Sequence, residues 1–161
     1  MKPEGRKRPG AVKDKHILIC LDESENSKRA LLYAADMLGG LPGFRVTLLS
    51  IIPEPSDDYL ESGADRSTWI ESSRSKVIRQ LENFRKVLVQ AGFREQKVDI
   101  IMEVSYCPSV ADCILDIQRR LECCTVVLGR RGISKREEIL FGSTSNSILH
   151  AEKKCAVWIV D

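Results

Sequence analysis

Glycine and hydroxyl residues gather in one stretch of this chain, GRRGISKREEILFGSTS, from Gly129 into Ser145. Gly129 and Gly132 are two residues apart, Gly132 and Gly142 nine, and Ser143 and Thr144 follow directly. Glycines of this kind allow a sharp turn, or the close approach of a ligand to the backbone. A helix opened by Gly142-Ser143-Thr144 would present unpaired N–H groups at the positive end of its dipole. Together with the two hydroxyls, that is a site for a phosphate. The same residues also fit a plain turn with Ser143 as a helix cap, and generic physics does not separate the two readings. Neither G-x-x-x-x-G-K-[ST] nor G-x-G-x-x-G occurs in the chain.

The elements that must carry this loop are legible in the apolar pattern. Five short runs, His16–Leu21, Arg45–Ile52, Val98–Val104, Cys124–Leu128 and Ala156–Val160, are rich in Val and Ile. Most are continuously apolar, as in strands covered on both faces. Between them lie stripes at helical spacing. These are Leu31-Ala34-Ala35-Leu38, then Ile70-Val77-Leu81-Phe84-Leu88 within a helix over 67–91, then Val110-Cys113-Ile114-Ile117-Leu121. A last short helical piece covers Asn146–His150. Thr68 with Glu71 fits a capping box for the long helix, and Gly92 an αL cap at its end. Pro108 fits the first turn of the third helix. This βαβαβαβαβ order predicts an α/β fold, a five-stranded parallel open sheet doubly wound with helices on both faces. The segment 53–66 is acidic, carries two prolines and reads as a loop.

With 161 residues, 43% hydrophobic and 30% charged, the chain suits one globular domain. Its net charge of +2 offers no basic field that would imply a specific nucleic-acid partner. Residues 1–14 form an expected flexible basic arm, and 15–161 an expected single domain that carries the candidate phosphate loop and, if that loop serves a nucleotide, is a nucleotide-binding domain. No apolar run approaches a membrane span, and the basic start is not followed by the apolar core of a signal peptide. A cytoplasmic location is therefore expected, with no membrane partner. Of six cysteines, Cys20, Cys113, Cys123 and Cys124 sit in or beside apolar patterns. No C-x-x-C and no Cys/His pair at zinc spacing occurs, so buried reduced thiols and no metal site are expected.

The spacing Gly129-x2-Gly132-x9-Gly142-Ser143 resembles the signature of the ATP-binding branch of the universal stress protein family. The first strand ending in Asp22-Glu23-Ser24, followed by Ser27, Ala30-Leu31 and Ala34, is similar to that family's opening pattern, and the last strand to its closing one. The resemblance covers about residues 15–161. It implies an adenine nucleotide, ATP or else ADP or AMP, with or without Mg. Asp22 would lie near ribose and adenine, although its plainer role is helix capping, which Ser24 could perform instead. Ile51 would meet adenine through its backbone, and Leu128 would pack on the base or ribose. Gly129, Gly132, Gly142, Ser143 and Thr144 would hold the phosphates. Two departures are evident: Ser50 stands where many members have His, and Cys20 where ATP-binding members often have a small residue or Pro. Arg130 and Arg131 fit either extra phosphate charge or solvated loop cations. The resemblance further implies a homodimer through strand 156–160, with Trp158 as interface anchor or core residue.

No nucleophile–base pair is evident, and His16 and His150 stand apart from any matching Ser or Cys in sequence. No catalytic residue is assigned. The expected function is a nucleotide-binding regulatory module of the stress response. The alternatives are a dimerisation module with a vestigial loop, and a slow ATPase or self-phosphorylating protein.

Overall fold

The computed structural model describes residues 14–52, 65–105, 107–130, 143–151 and 154–161. Five strands, β1 (Lys15–Cys20), β2 (Phe44–Ile52), β3 (Val98–Val104), β4 (Thr125–Gly129) and β5 (Ala156–Val160), form one sheet in the order β3-β2-β1-β4-β5. Every neighbouring pair is parallel. The register places Ile17 beside Val46 and Thr125, and Ile19 beside Leu48 and Val127. Among the described residues four α-helices connect them: α1 (Glu25–Leu38), α2 (Arg66–Gln90), α3 (Val110–Arg120) and α4 (Ser143–His150). A 3-10 turn, Glu95–Lys97, leads into β3.

The sheet is covered on both faces because its central strands are apolar on both. Ile17 and Ile19 of β1 pack with Ala30, Leu31 and Leu38 of α1 and with Leu81 and Leu88 of α2. Leu18, between them in sequence, points the other way and packs with Ile114 and Ile117 of α3 and Ile148 of α4. This alternation is the physical content of a doubly wound sheet. The chain winds outward through β1, β2 and β3, then crosses back to place β4 on the other side of β1. Strand order therefore reverses between β1 and β4, and a crevice opens at their carboxyl ends.

Two helix starts differ from the sequence expectation. The long helix begins at Arg66, with Asp65 as its cap: the Asp65 side chain accepts from the Ser67 N–H at 3.0 Å and from the Thr68 hydroxyl at 3.1 Å. A carboxylate here satisfies orphan N–H groups and faces the positive dipole end, so it displaces Thr68–Glu71 as the capping pair. These bonds, first the one from the Ser67 backbone, hold the exposed Asp65 carboxyl below its usual pKa. The third helix begins after Pro108, which lies outside the first turn; Ser109 is the cap and accepts from the Asp112 N–H at 3.1 Å. The C-terminal end of α2 follows expectation. Gly92 has φ +110°, and a Cβ there would stand 2.6 Å from the Gly40 nitrogen, so helix end and α1–β2 turn meet backbone to backbone.

Candidate functional site

A cavity of about 510 Å³ lies at the carboxyl ends of β1, β2 and β4. Its floor is apolar: Leu21, Leu49, Ile51, Ile52, Ile114 and Leu128 line it. Polar groups converge from three directions. Asp22, Ser24 and Ser27 come from the β1–α1 turn, Thr144 and Ser145 from the first turn of α4, and Ser50 from β2. This combination of apolar walls and a few placed polar groups is the usual make-up of a small-molecule site.

The β1–α1 turn is tied down by its own side chains. Ser24 caps α1, its hydroxyl oxygen accepting from the Ser27 N–H at 3.2 Å. Asp22 stands one step behind. Its Oδ1 accepts from the Ser24 N–H at 2.9 Å and from the Ser24 hydroxyl. Asp22 thus supports the cap rather than serving as it, and lines the cavity at the same time. The buried Ser27 hydroxyl donates to the Asp22 carbonyl at 2.9 Å, and the Asp22 N–H donates back to Ser27 Oγ at 3.2 Å. These bonds leave the turn little freedom, and a preformed wall costs a ligand little ordering entropy.

Gly129 ends β4 and lines the cavity, but its requirement for glycine differs from the expected sharp turn. A Cβ on Gly129 would collide with the Asn26 carbonyl and lie 2.5 Å from the Ser27 nitrogen. Only a hydrogen lets the first turn of α1 sit against the strand end. The buried Asn26 side chain completes this contact by donating from Nδ2 to the Arg130 carbonyl, while Arg29 donates to Asn26 Oδ1. Arg130 is not among the described residues that line the cavity. Its N–H donates to the Val160 carbonyl at 2.7 Å and its guanidinium pairs with Asp161 at 3.0 Å.

Of the expected site residues, Asp22, Ile51, Leu128, Gly129 and Thr144 come together around this one cavity. Ser143 is exposed at the start of α4 and is not among the lining residues. Gly132, Gly142 and Arg131 lie outside the described residues. The cysteine expectation is corrected in part. Cys107 and Cys113 are joined by a disulfide, because the turn before α3 brings their Cα atoms to 5.6 Å, and Cys124 is exposed. Cys20, Cys123 and Cys155 are free thiols, and Cys20 lines the cavity. Burial pushes the Cys20 thiol upward, and raises Cys123 to about 12. His16 is structural: a carbonyl only accepts, so Nδ1–H donates to Leu121 O at 3.2 Å, and Nε2 meets the Thr47 hydroxyl at 2.8 Å.

One wall escaped the sequence reading. Trp69, Ser73, Lys76, Val77 and Gln80 of α2 line the cavity. At about 1.5 Å per residue, the 25 residues of α2 span roughly 37 Å, longer than any strand of this sheet, so its amino half overhangs the carboxyl edge. A signal was present: the α2 stripe is apolar from Leu81 to Leu88 but interrupted by Ser73 and Gln80 nearer its start.

A model of the universal stress protein family matches residues 14–161. The chain belongs to the universal stress protein family. Comparison with curated proteins yields no match. Among solved structures, the hypothetical protein MJ0577 is 25% identical with a TM-score of 0.74, over 92% of this chain and 96% of that one. A universal stress protein in complex with cAMP is 16% identical (TM-score 0.67, covering 91% and 97%). One from Archaeoglobus fulgidus in complex with dAMP is also 16% identical (TM-score 0.59, covering 93% and 99%). The five-stranded parallel α/β fold is common to this chain and these universal stress proteins.

Proposed function

We propose that this universal stress protein is an adenine-nucleotide-binding regulatory module, with ATP as the first ligand to test. The observation that carries the reading is the convergence of Asp22, Ile51, Leu128, Gly129 and Thr144 on one cavity of about 510 Å³. That volume falls within the ~300–1,000 Å³ range of small-molecule sites. The residues fit such a ligand. Leu128, Ile51 and Ile114 suit the faces of a base, Asp22 suits ribose hydroxyls, and the N–H groups of the first turn of α4 suit an anionic phosphate. Relatives of the same fold in complex with cAMP and dAMP support the ligand class.

Thermal unfolding with and without millimolar ATP-Mg tests the proposal. At about 100 times Kd, linkage adds about 2.7 kcal/mol, or roughly 5–10 °C for a chain of this size. No shift with ATP, ADP or AMP overturns the reading. Thr144→Glu supplies the control. A carboxylate in the first helical turn suits the dipole of α4, so the fold is retained, while its charge repels a phosphate and the shift is lost.

We further propose that β5 pairs with a second copy of the chain, giving a homodimer. The strand is apolar and outermost in the sheet, and an unpaired edge of that kind invites another strand.

A further inference from the structure

The overhanging half of α2 adds to the cavity the one cation among its described lining residues, Lys76. Its ammonium reaches across to Glu23 Oε1 at 2.5 Å, bridging α2 to the β1–α1 turn beside Asp22. Both partners are largely exposed, at 69% and 67% of their side chains. Pairs of this kind contribute little to stability, since water and salt screen them and two long side chains must be held still. Yet the position is consequential. Asp22 and Glu23 are two carboxylates lining the cavity, which by themselves repel a phosphate, and Lys76 is the charge that offsets them.

We infer that Lys76 reads the charge of the ligand: a phosphate oxygen takes the place of Glu23 on its ammonium. The exchange favours the phosphate for two reasons. A phosphate carries more charge than a carboxylate, and the apolar floor of the cavity lowers the local dielectric for a ligand seated against it. Lysine suits the role, being a compact charge on a four-carbon stem that can swing between partners. Glu23 then acts as a built-in competitor. It holds Lys76 at the rim without a ligand and raises the charge a ligand needs to displace it. The inference rests on the proposal that the cavity takes an adenine nucleotide, and names the residue that separates phosphorylated ligands from neutral ones.

The test compares ATP with adenosine on wild type, Lys76→Met and Glu23→Gln, by calorimetry and by fluorescence. Trp69 lines the same cavity and Trp158 is the only other tryptophan, so Trp158→Phe leaves a reporter inside the site. Lys76→Met should weaken ATP about three- to tenfold, the scale of one charge-assisted hydrogen bond at a partly exposed site, and leave adenosine within about twofold. Glu23→Gln should shift ATP the opposite way, tightening it, again with adenosine unmoved. An unchanged ratio of ATP to adenosine affinity in both variants overturns the role of Lys76 and leaves nucleotide binding standing. Equal weakening of both ligands by Lys76→Met also overturns it, as that marks a packing role. If wild type binds neither ligand, the nucleotide reading falls and this inference with it.

Discussion

At the scale of residues, much of the site rests on contacts too small to see in sequence. Gly129 is needed because α1 lies against it. Gly129→Ala would push a methyl into the Asn26 carbonyl, a backbone group that cannot rotate away. We expect a loss of about 1–3 kcal/mol, the range for overpacking, measured by urea unfolding. The ATP-induced thermal shift should fall with it, because the β1–α1 turn moves. Thiol chemistry offers a second check. Denatured without reductant, the protein should show four reactive thiols, and with reductant six, given the Cys107–Cys113 disulfide. In the native state the exposed Cys124 should alkylate before Cys20 and Cys123, whose raised pKa values leave almost no thiolate at neutral pH. Cys20 alkylating first would contradict the packing at the end of β1.

At the scale of elements, helix ends decide how the walls stand. Asp65 caps α2, whose amino half forms the wall with Trp69 and Lys76. Its folded pKa is lowered, so its contribution to stability is present above the unfolded carboxyl value of about 3.9 and is lost as pH falls through the lower folded value. Asp65→Asn keeps a capping acceptor and should flatten the pH dependence of the melting temperature below about pH 4. Asp65→Ala removes cap and pH dependence together. An unchanged acid profile in the Asn variant would assign the acid sensitivity to other carboxylates. Helix existence was readable from periodicity, and all five strands lie where their apolar runs stand. The start of α2 was not, because Thr68–Glu71 and Asp65 are both acceptable caps locally and only the bonds formed choose between them.

At the scale of the whole molecule, β3 and β5 are the two edges of the described sheet, and β5 is the one proposed to pair. Ala156 N–H donates to the Cys124 carbonyl and Val160 accepts from the Arg130 N–H, so residues 156, 158 and 160 turn their backbone groups toward β4. By strand alternation Val157 and Ile159 turn theirs outward. The side chain of Trp158 packs on the α1 face, with its ring edge-on to Tyr33 at 6.2 Å. Trp158 is thus partly buried and packs against the core. Sedimentation velocity at micromolar concentration should show about twice the 18.1 kDa chain mass if β5 pairs with its copy. Ile159→Pro removes an outward N–H while sparing the β4 ladder, so the same experiment on that variant should give a monomer. A monomeric wild type would remove the dimer proposal.

Sequence alone determined the order of elements and the fold class. Apolar period and turn residues are local properties, and a βαβαβαβαβ order admits few packings. It also pointed to the end of the molecule where the candidate site lies, since Asp22, Ile51, Leu128 and Gly129 stand at or just past the carboxyl ends of strands and Thr144 in the first turn of a helix. Their meeting around one cavity followed from the reversal of strand order between β1 and β4. Only the tertiary structure decided the rest: that Gly129 faces the backbone of α1, that Cys107 bonds to Cys113, and that Lys76 reaches Glu23 across 53 residues of sequence. Those facts depend on how far a long helix overhangs a short sheet and on which backbones touch. Distances between elements of that kind have no local signature for a sequence to carry.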